Sequence, residues 1–148
     1  MRAALVGLLL LSGCGDPAWL LPEAEALATA RAELATRGIQ ATDTAHVVDG
    51  VIVCDGAVCD PPRALTLDGW DATRAIGLEY VADDDPDLGA GTIYSGPAAS
   101  ERLQAAVDAR LAGAAKVLII HQWAHETPEL CRDQFLSSLR ARLDALGL

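Results

Sequence analysis

The chain holds 148 residues, 51% of them apolar, and carries eleven basic against twenty-one acidic side chains for a formal net charge of -10. That is one domain's length with enough apolar residue to bury a core, which excludes a disordered chain. No Lys/Arg cluster interrupts the acidic excess, which excludes a surface that tracks nucleic-acid phosphates, and no internal repeat or low-complexity tract divides the sequence.

Met1-Arg2, the apolar run from Ala3 to Leu11 and the small residues Ser12 and Gly13 have the layout of a secretory signal, too short to span as a mature helix. Its end, Leu11-Ser12-Gly13-Cys14, resembles the lipobox of bacterial lipoproteins, in which an aliphatic and two small residues precede a cysteine. The resemblance covers the first 14 residues. It implies that residues 1–13 are removed, that Cys14 is diacylated and that its new amino group is acylated as well. Acyl chains contribute about 0.8 kcal/mol per buried CH₂, so two or three of them anchor a protein without a transmembrane helix. Membrane lipid is then the expected partner and the bacterial envelope the expected location. Gly15 rather than Asp follows the cysteine, which by the same resemblance favours the outer membrane. An acidic body is repelled by anionic lipid, so the acyl chains must do the holding. Residues 14–21 read as a lipidated tether and 22–148 as a single domain.

After the tether, Pro22 suits the first turn of a helix, Glu23 and Glu25 favour its positive end, Leu27 and Leu34 share a face, and Gly38 ends it, which predicts a helix over 22–37. Val47-Val48, Asp49-Gly50 and Val51-Ile52-Val53 read as a short hairpin. Cys54 and Cys59 flank Asp55-Gly56, a tight reversal that brings two thiols within bridging distance, and export places them in an oxidising compartment, so a Cys54–Cys59 disulfide is expected. Cys131 is then a buried small hydrophobe or takes one partner from that turn. Ala64–Leu67 and Leu78–Val81 are strand candidates, with Trp70–Ile76 between them read as helical. Residues 82–91 form an acidic loop, and Thr92-Ile93-Tyr94 a further strand. Leu103, Val107, Leu111 and Ala114 recur at helical spacing, and Thr127 with Pro128 announces a last helix through Leu130, Phe135, Leu139 and Leu143. The order, an N-terminal helix, a small mixed or antiparallel sheet and two C-terminal helices, is that of an α+β domain.

Lys116-Val117-Leu118-Ile119-Ile120-His121-Gln122-Trp123 fits either a buried strand or a continuation of the preceding helix. In a helix, His121 and His125 stand one turn apart on one face, where two imidazoles grip one metal ion. The run His121-Gln122-Trp123-Ala124-His125 after four apolar residues resembles the H-E-x-x-H helix of zincin metalloproteases. The resemblance implies a zincin-like fold and zinc held by His121, His125 and an acid such as Glu129 or Asp133, with His46 a further candidate. It departs at Gln122, because an amide cannot take the proton that the family's Glu removes from zinc-bound water. Metal binding with weak or no peptidase activity is what the resemblance then implies. In a strand the pair shares no helical face, and the expected protein is a metal-free exported domain, a non-catalytic binding or envelope-assembly module whose ligand or partner the sequence does not name.

The remaining motifs are weaker. Asp83, Asp84, Asp85 and Asp87 with Gly89 concentrate carboxylates as calcium loops do, but the glycine comes one place late and the terminal Glu is missing, so the segment reads as a solvated acidic loop. Ser95 and Ser100 lack nucleophile-elbow glycines, and no phosphate-cradling loop is present. No catalytic residue is assigned. Trp19, Trp70 and Trp123 read as core anchors.

Overall fold

The computed structural model describes residues 19–52, 63–81 and 99–148. In chain order these form β1 (Trp19–Leu20), α1 (Glu23–Thr36), β2 (His46–Ile52), β3 (Arg63–Leu67), β4 (Gly69–Asp71), β5 (Ile76–Val81), α2 (Ala99–Leu111), β6 (Lys116–His121), β7 (Ala124–His125) and α3 (Pro128–Ala145). The architecture is α+β.

Its centre is a three-stranded sheet in the order β4-β5-β6, with β4 antiparallel to β5 and β5 parallel to β6 from Ile76↔Lys116 to Val81↔His121. Side chains alternate across a strand, so β5 and β6 each serve two cores. Ile76, Leu78, Tyr80, Leu118 and Ile120 pack with α1 and α3 around Leu34 and Phe135. Val81, Val117 and Ile119 pack with Leu103 and Val107 of α2 and with Val48, Val51, Leu65 and Leu67 of the β2–β3 pair. Both faces of β5 and β6 are therefore covered, and the strands are nearly continuous apolar runs, as parallel strands between two layers must be. This resolves the ambiguity of residues 116–123 in favour of a strand, which ends at His121.

Helices α1 and α3 run side by side and parallel. Arg132 pairs with Glu25, Arg140 with Glu33 at 3.1 Å, and Arg37 with Asp144 at 2.7 Å, every pair at the same sequence separation of 107. The Glu25 partner holds Arg132 protonated more firmly, and the Arg132 hydrogen bond lowers the Glu25 pKa in turn. At the head of α3 the Thr127 hydroxyl accepts the Leu130 N–H with Pro128 behind it, as the sequence predicts.

Three expectations need correction. Residues 47–53 are not a hairpin: β2 passes straight through Asp49-Gly50, and Gly50 at φ 72° forms a bulge between Val48 and Ile52 while the strand pairs with β3. Trp70–Ile76 is not helical, because its first two residues close β4 and the Asp71 carboxylate captures the N–H groups of Thr73 and Arg74, which fixes a turn instead. Residues 19–21, expected as the end of a tether over 14–21, belong to the fold instead, since Trp19 and Leu20 pair with His125 and Ala124 of β7 and Leu21 is buried. The Cys54–Cys59 turn, the acidic loop with its calcium-like carboxylates and the strand expected at Thr92–Tyr94 lie outside the described residues.

Among the described glycines, Gly77 leaves the least room for a side chain. A Cβ there would come within 2.5 Å of Leu67 Cδ1 and 3.1 Å of Val117 Cγ2, both buried. Gly77→Ala is expected to cost about 1–3 kcal/mol of stability through overpacking; a denaturant midpoint equal to wild type would show that the layers give way.

Candidate functional site

The two histidines of the zincin-like motif do not share a helix. His121 ends β6, where its ring Nδ1 donates to the Gln122 carbonyl at 2.9 Å, and the Gln122 N–H continues the ladder to Val81. His125 lies in the β1–β7 ribbon. Its Nδ1 accepts the Glu126 N–H at 2.9 Å, so the ring proton sits on Nε2, which lies 3.1 Å from the Gln134 side-chain amide and donates to it when the amide oxygen is turned toward the ring. One nitrogen of His125 is thus engaged by its own backbone and the other lies against Gln134. Glu129 and Asp133 are exposed on α3, and His46 stacks on Trp70 with centroids 3.7 Å apart. Among the described residues no three His, Cys, Asp or Glu side chains are grouped to hold an ion. The residues expected to bind zinc do not fit one, because the helical spacing that would unite His121 and His125 is replaced by strands of two separate sheets. Cys131 is free and buried, and burial pushes its thiol pKa up, away from reactivity. Cys14, Cys54 and Cys59 lie outside the described residues. Trp19 and Trp123 pack on the first core and Trp70 on the second, as anchors.

What the fold does bring together lies at the opposite end of the sheet, where β5 and β6 begin. A cleft of about 430 Å³ opens there between the ends of all three helices. Arg37 and Ile39 come from the end of α1, Arg74 and Ala75 from the turn before β5, Gly113 to Ala115 from the exit of α2, Lys116 from the first position of β6, and Gly147 and Leu148 from the exit of α3. Three cations therefore meet in a protein whose net charge is -10. Part of that charge answers the helices themselves, whose C-termini present unpaired carbonyls and the negative end of the dipole. Lys116 Nζ donates to the Leu146 carbonyl at 2.6 Å, and Arg37 donates to the Leu148 carbonyl and to Asp144.

The cleft's rim is built from left-handed backbone. Gly38, Gly113 and Gly147 take φ of 75°, 82° and 67°, as helix exits commonly do. Ala75 at φ 54° and Ala112 at φ 48° are the positive-φ residues other than glycine among those described, and both adjoin this cleft. A side chain in that conformation costs roughly 1–2 kcal/mol, which neighbouring contacts must offset. For Ala75 the offset is Asp71. Its buried carboxylate accepts the Gln40 N–H at 2.8 Å on one oxygen and the Thr73 and Arg74 N–H groups at 2.9 and 3.1 Å on the other. These bonds, Gln40's first, hold the carboxyl below its usual range. The turn is thereby fixed, Lys116 N donates to Ala75 O at 3.0 Å, and Arg74 is aimed across Gly38, where an added Cβ would stand 3.3 Å from the guanidinium.

Sequence reading passed over Arg37, Arg74 and Lys116, each an isolated cation in its own segment. The signal that could have found them is positional, since Arg37 precedes a helix-ending glycine and Lys116 follows one closely. Comparison with protein-family models, with curated proteins and with solved structures returned no match.

Two predictions follow from the rim. A depressed carboxyl stabilises the fold above the ordinary carboxylate range and loses that contribution as pH falls through its folded pKa. Asp71→Asn should therefore lower the melting temperature at neutral pH, by a margin that shrinks as pH falls below the ordinary carboxylate range; a margin constant with pH would exclude the charged form as the cause. Ala112→Gly should raise stability by about 1 kcal/mol by relieving the left-handed alanine, read as a higher denaturant midpoint, and a lower one would count against that conformation.

Proposed function

We propose that this protein is a lipid-anchored bacterial envelope lipoprotein, a non-catalytic binding domain that presents the cationic cleft to the surrounding compartment. The observation that carries the reading is the position of the cleft relative to the proposed anchor. Trp19 opens β1 five residues after Cys14, and five residues reach at most about 17 Å. α1 leaves from that same end and runs 14 residues, about 21 Å, to deliver Arg37 to the cleft. α3 runs parallel to it and delivers Gly147 and Leu148. Acyl chains on Cys14 would thus hold one end of the domain close to the bilayer while the cleft faces away from it.

The residues Leu11-Ser12-Gly13-Cys14, which resemble a lipobox, support the anchor, and the cleft with its convergent cations supports binding. Among the described residues no helix is long and apolar enough to cross a membrane.

Expression of wild type and Cys14→Ala in a bacterial host, followed by fractionation and mass analysis of the N-terminal peptide, tests the anchor. Wild type is expected in the membrane fraction with an acylated Cys14 peptide, and the variant in the soluble envelope fraction or as unprocessed precursor without lipid. A variant that retains a covalent lipid, or a wild-type Cys14 without one, would overturn the reading.

A further inference from the structure

We propose that the side chain of Gln104 stands in for a fourth strand along the outer edge of β6 and so keeps a second copy of this chain from pairing there. Neither the cleft nor the anchor takes part. In the sheet β4-β5-β6, β6 has a strand neighbour on one side among the described residues. Lys116 N donates to Ala75 O and Gln122 N to Val81 O, so the even-numbered residues along β6 turn their backbone groups towards β5. Successive residues alternate, so Val117 and Ile119 turn theirs the other way. Gln104 meets both. Its Nε2 donates to the Val117 carbonyl at 2.8 Å, and its Oε1 accepts the Ile119 N–H at 3.3 Å. A residue in a parallel neighbouring strand would do the same, donating to one carbonyl and accepting the N–H two residues on.

The amide is held in that orientation. Asp108, one turn further along α2, accepts from the same Nε2 at 3.0 Å, and a carboxylate only accepts, so the nitrogen faces Asp108 and Val117 and the oxygen is left for Ile119. α2 is seated by Leu103 and Val107, both fully buried, which puts position 104 at the rim of the helix beside the strand. Val117 and Ile119 are 0% exposed with Gln104 in place, so their outward groups reach neither water nor another chain until that side chain is removed. The edge it covers is adhesive by composition. Val117, Leu118, Ile119 and Ile120 are an aliphatic run with no charge, proline or glycine to discourage pairing. Uncovered, its carbonyl and N–H groups match a second copy of the same edge turned antiparallel about a two-fold axis, which satisfies both copies at once. The other edge of the sheet is closed as well, by Thr42 exchanging two backbone bonds with Trp70 of β4.

Sedimentation velocity of the full-length protein, in a density-matched neutral detergent with micelles in excess over protein, counts the copies, and amide hydrogen exchange reads the Ile119 N–H. Wild type should remain one copy per particle, with Ile119 exchange slowed about a hundredfold or more relative to an open amide. Gln104→Leu, which keeps the bulk and removes the amide, and Gln104→Ala should each self-associate about tenfold more tightly than wild type. Gln104→Lys should stay single, since it keeps a donor for Val117 and places a charge on the edge. Ala109→Leu, which adds an apolar group to the exposed face of α2, should stay single too. Asp108→Asn, at an exposed position, releases the amide's orientation and should promote association to a smaller extent than Gln104→Leu. If Gln104→Leu and Gln104→Ala fold and stay as monomeric as wild type, the guarding role is overturned; if neither folds, an Asp108→Asn that stays monomeric overturns it. Association of Ala109→Leu or Gln104→Lys to the degree of Gln104→Leu would overturn it too, by making the adhesion general. Fast exchange of Ile119 in wild type would remove the hydrogen bond on which it stands.

Discussion

The parallel pairing of β5 with β6 is the constraint from which the rest of the molecule follows. Two parallel neighbours cannot be joined by a tight turn, so the chain between them must cross over the sheet, and α2 lies on that crossing. Because α2 returns from the end of β5 to the start of β6, its C-terminus arrives at the edge where both strands begin. The opposite face must be covered too, since an open face would leave Leu78, Tyr80, Leu118 and Ile120 in water, and α1 and α3 supply that layer. Their parallel course, fixed by the Glu25–Arg132, Glu33–Arg140 and Arg37–Asp144 pairs, brings two more helix C-termini to the same edge. Surface ion pairs of this kind contribute little each to stability, but three at one offset select one register of helix against helix. The cleft is thus a product of topology, and its cations stand where three dipoles end.

How much of this was legible from the residues depended on whether the signal was local. α1 and α3 announce themselves through Pro22, Gly38, Thr127 and Pro128, which act on their own backbone, and both helices form within a residue or two of their expected bounds. α2 appears where Leu103, Val107 and Leu111 recur, although it stops before Ala114. The strand at Lys116–His121 could not be separated from a helix because burial on both faces erases the period of two that identifies a strand. Asp49-Gly50 carried a turn's chemistry but was used for a bulge, a choice made by pairing with β3 over a distance no local pattern encodes.

The histidine motif failed for the same reason. A spacing of four has meaning only on a helix, and the decision between helix and strand was taken by Tyr80, Leu78 and the other partners of β6, none of them near His121 in sequence. Arg74 and Lys116 were invisible for the converse reason. Each is an ordinary cation in its own segment, and they come to line one cleft only when Lys116 N meets Ala75 O. The Asp71 turn was misread because its carboxylate's first partner, the Gln40 N–H, comes from 31 residues away.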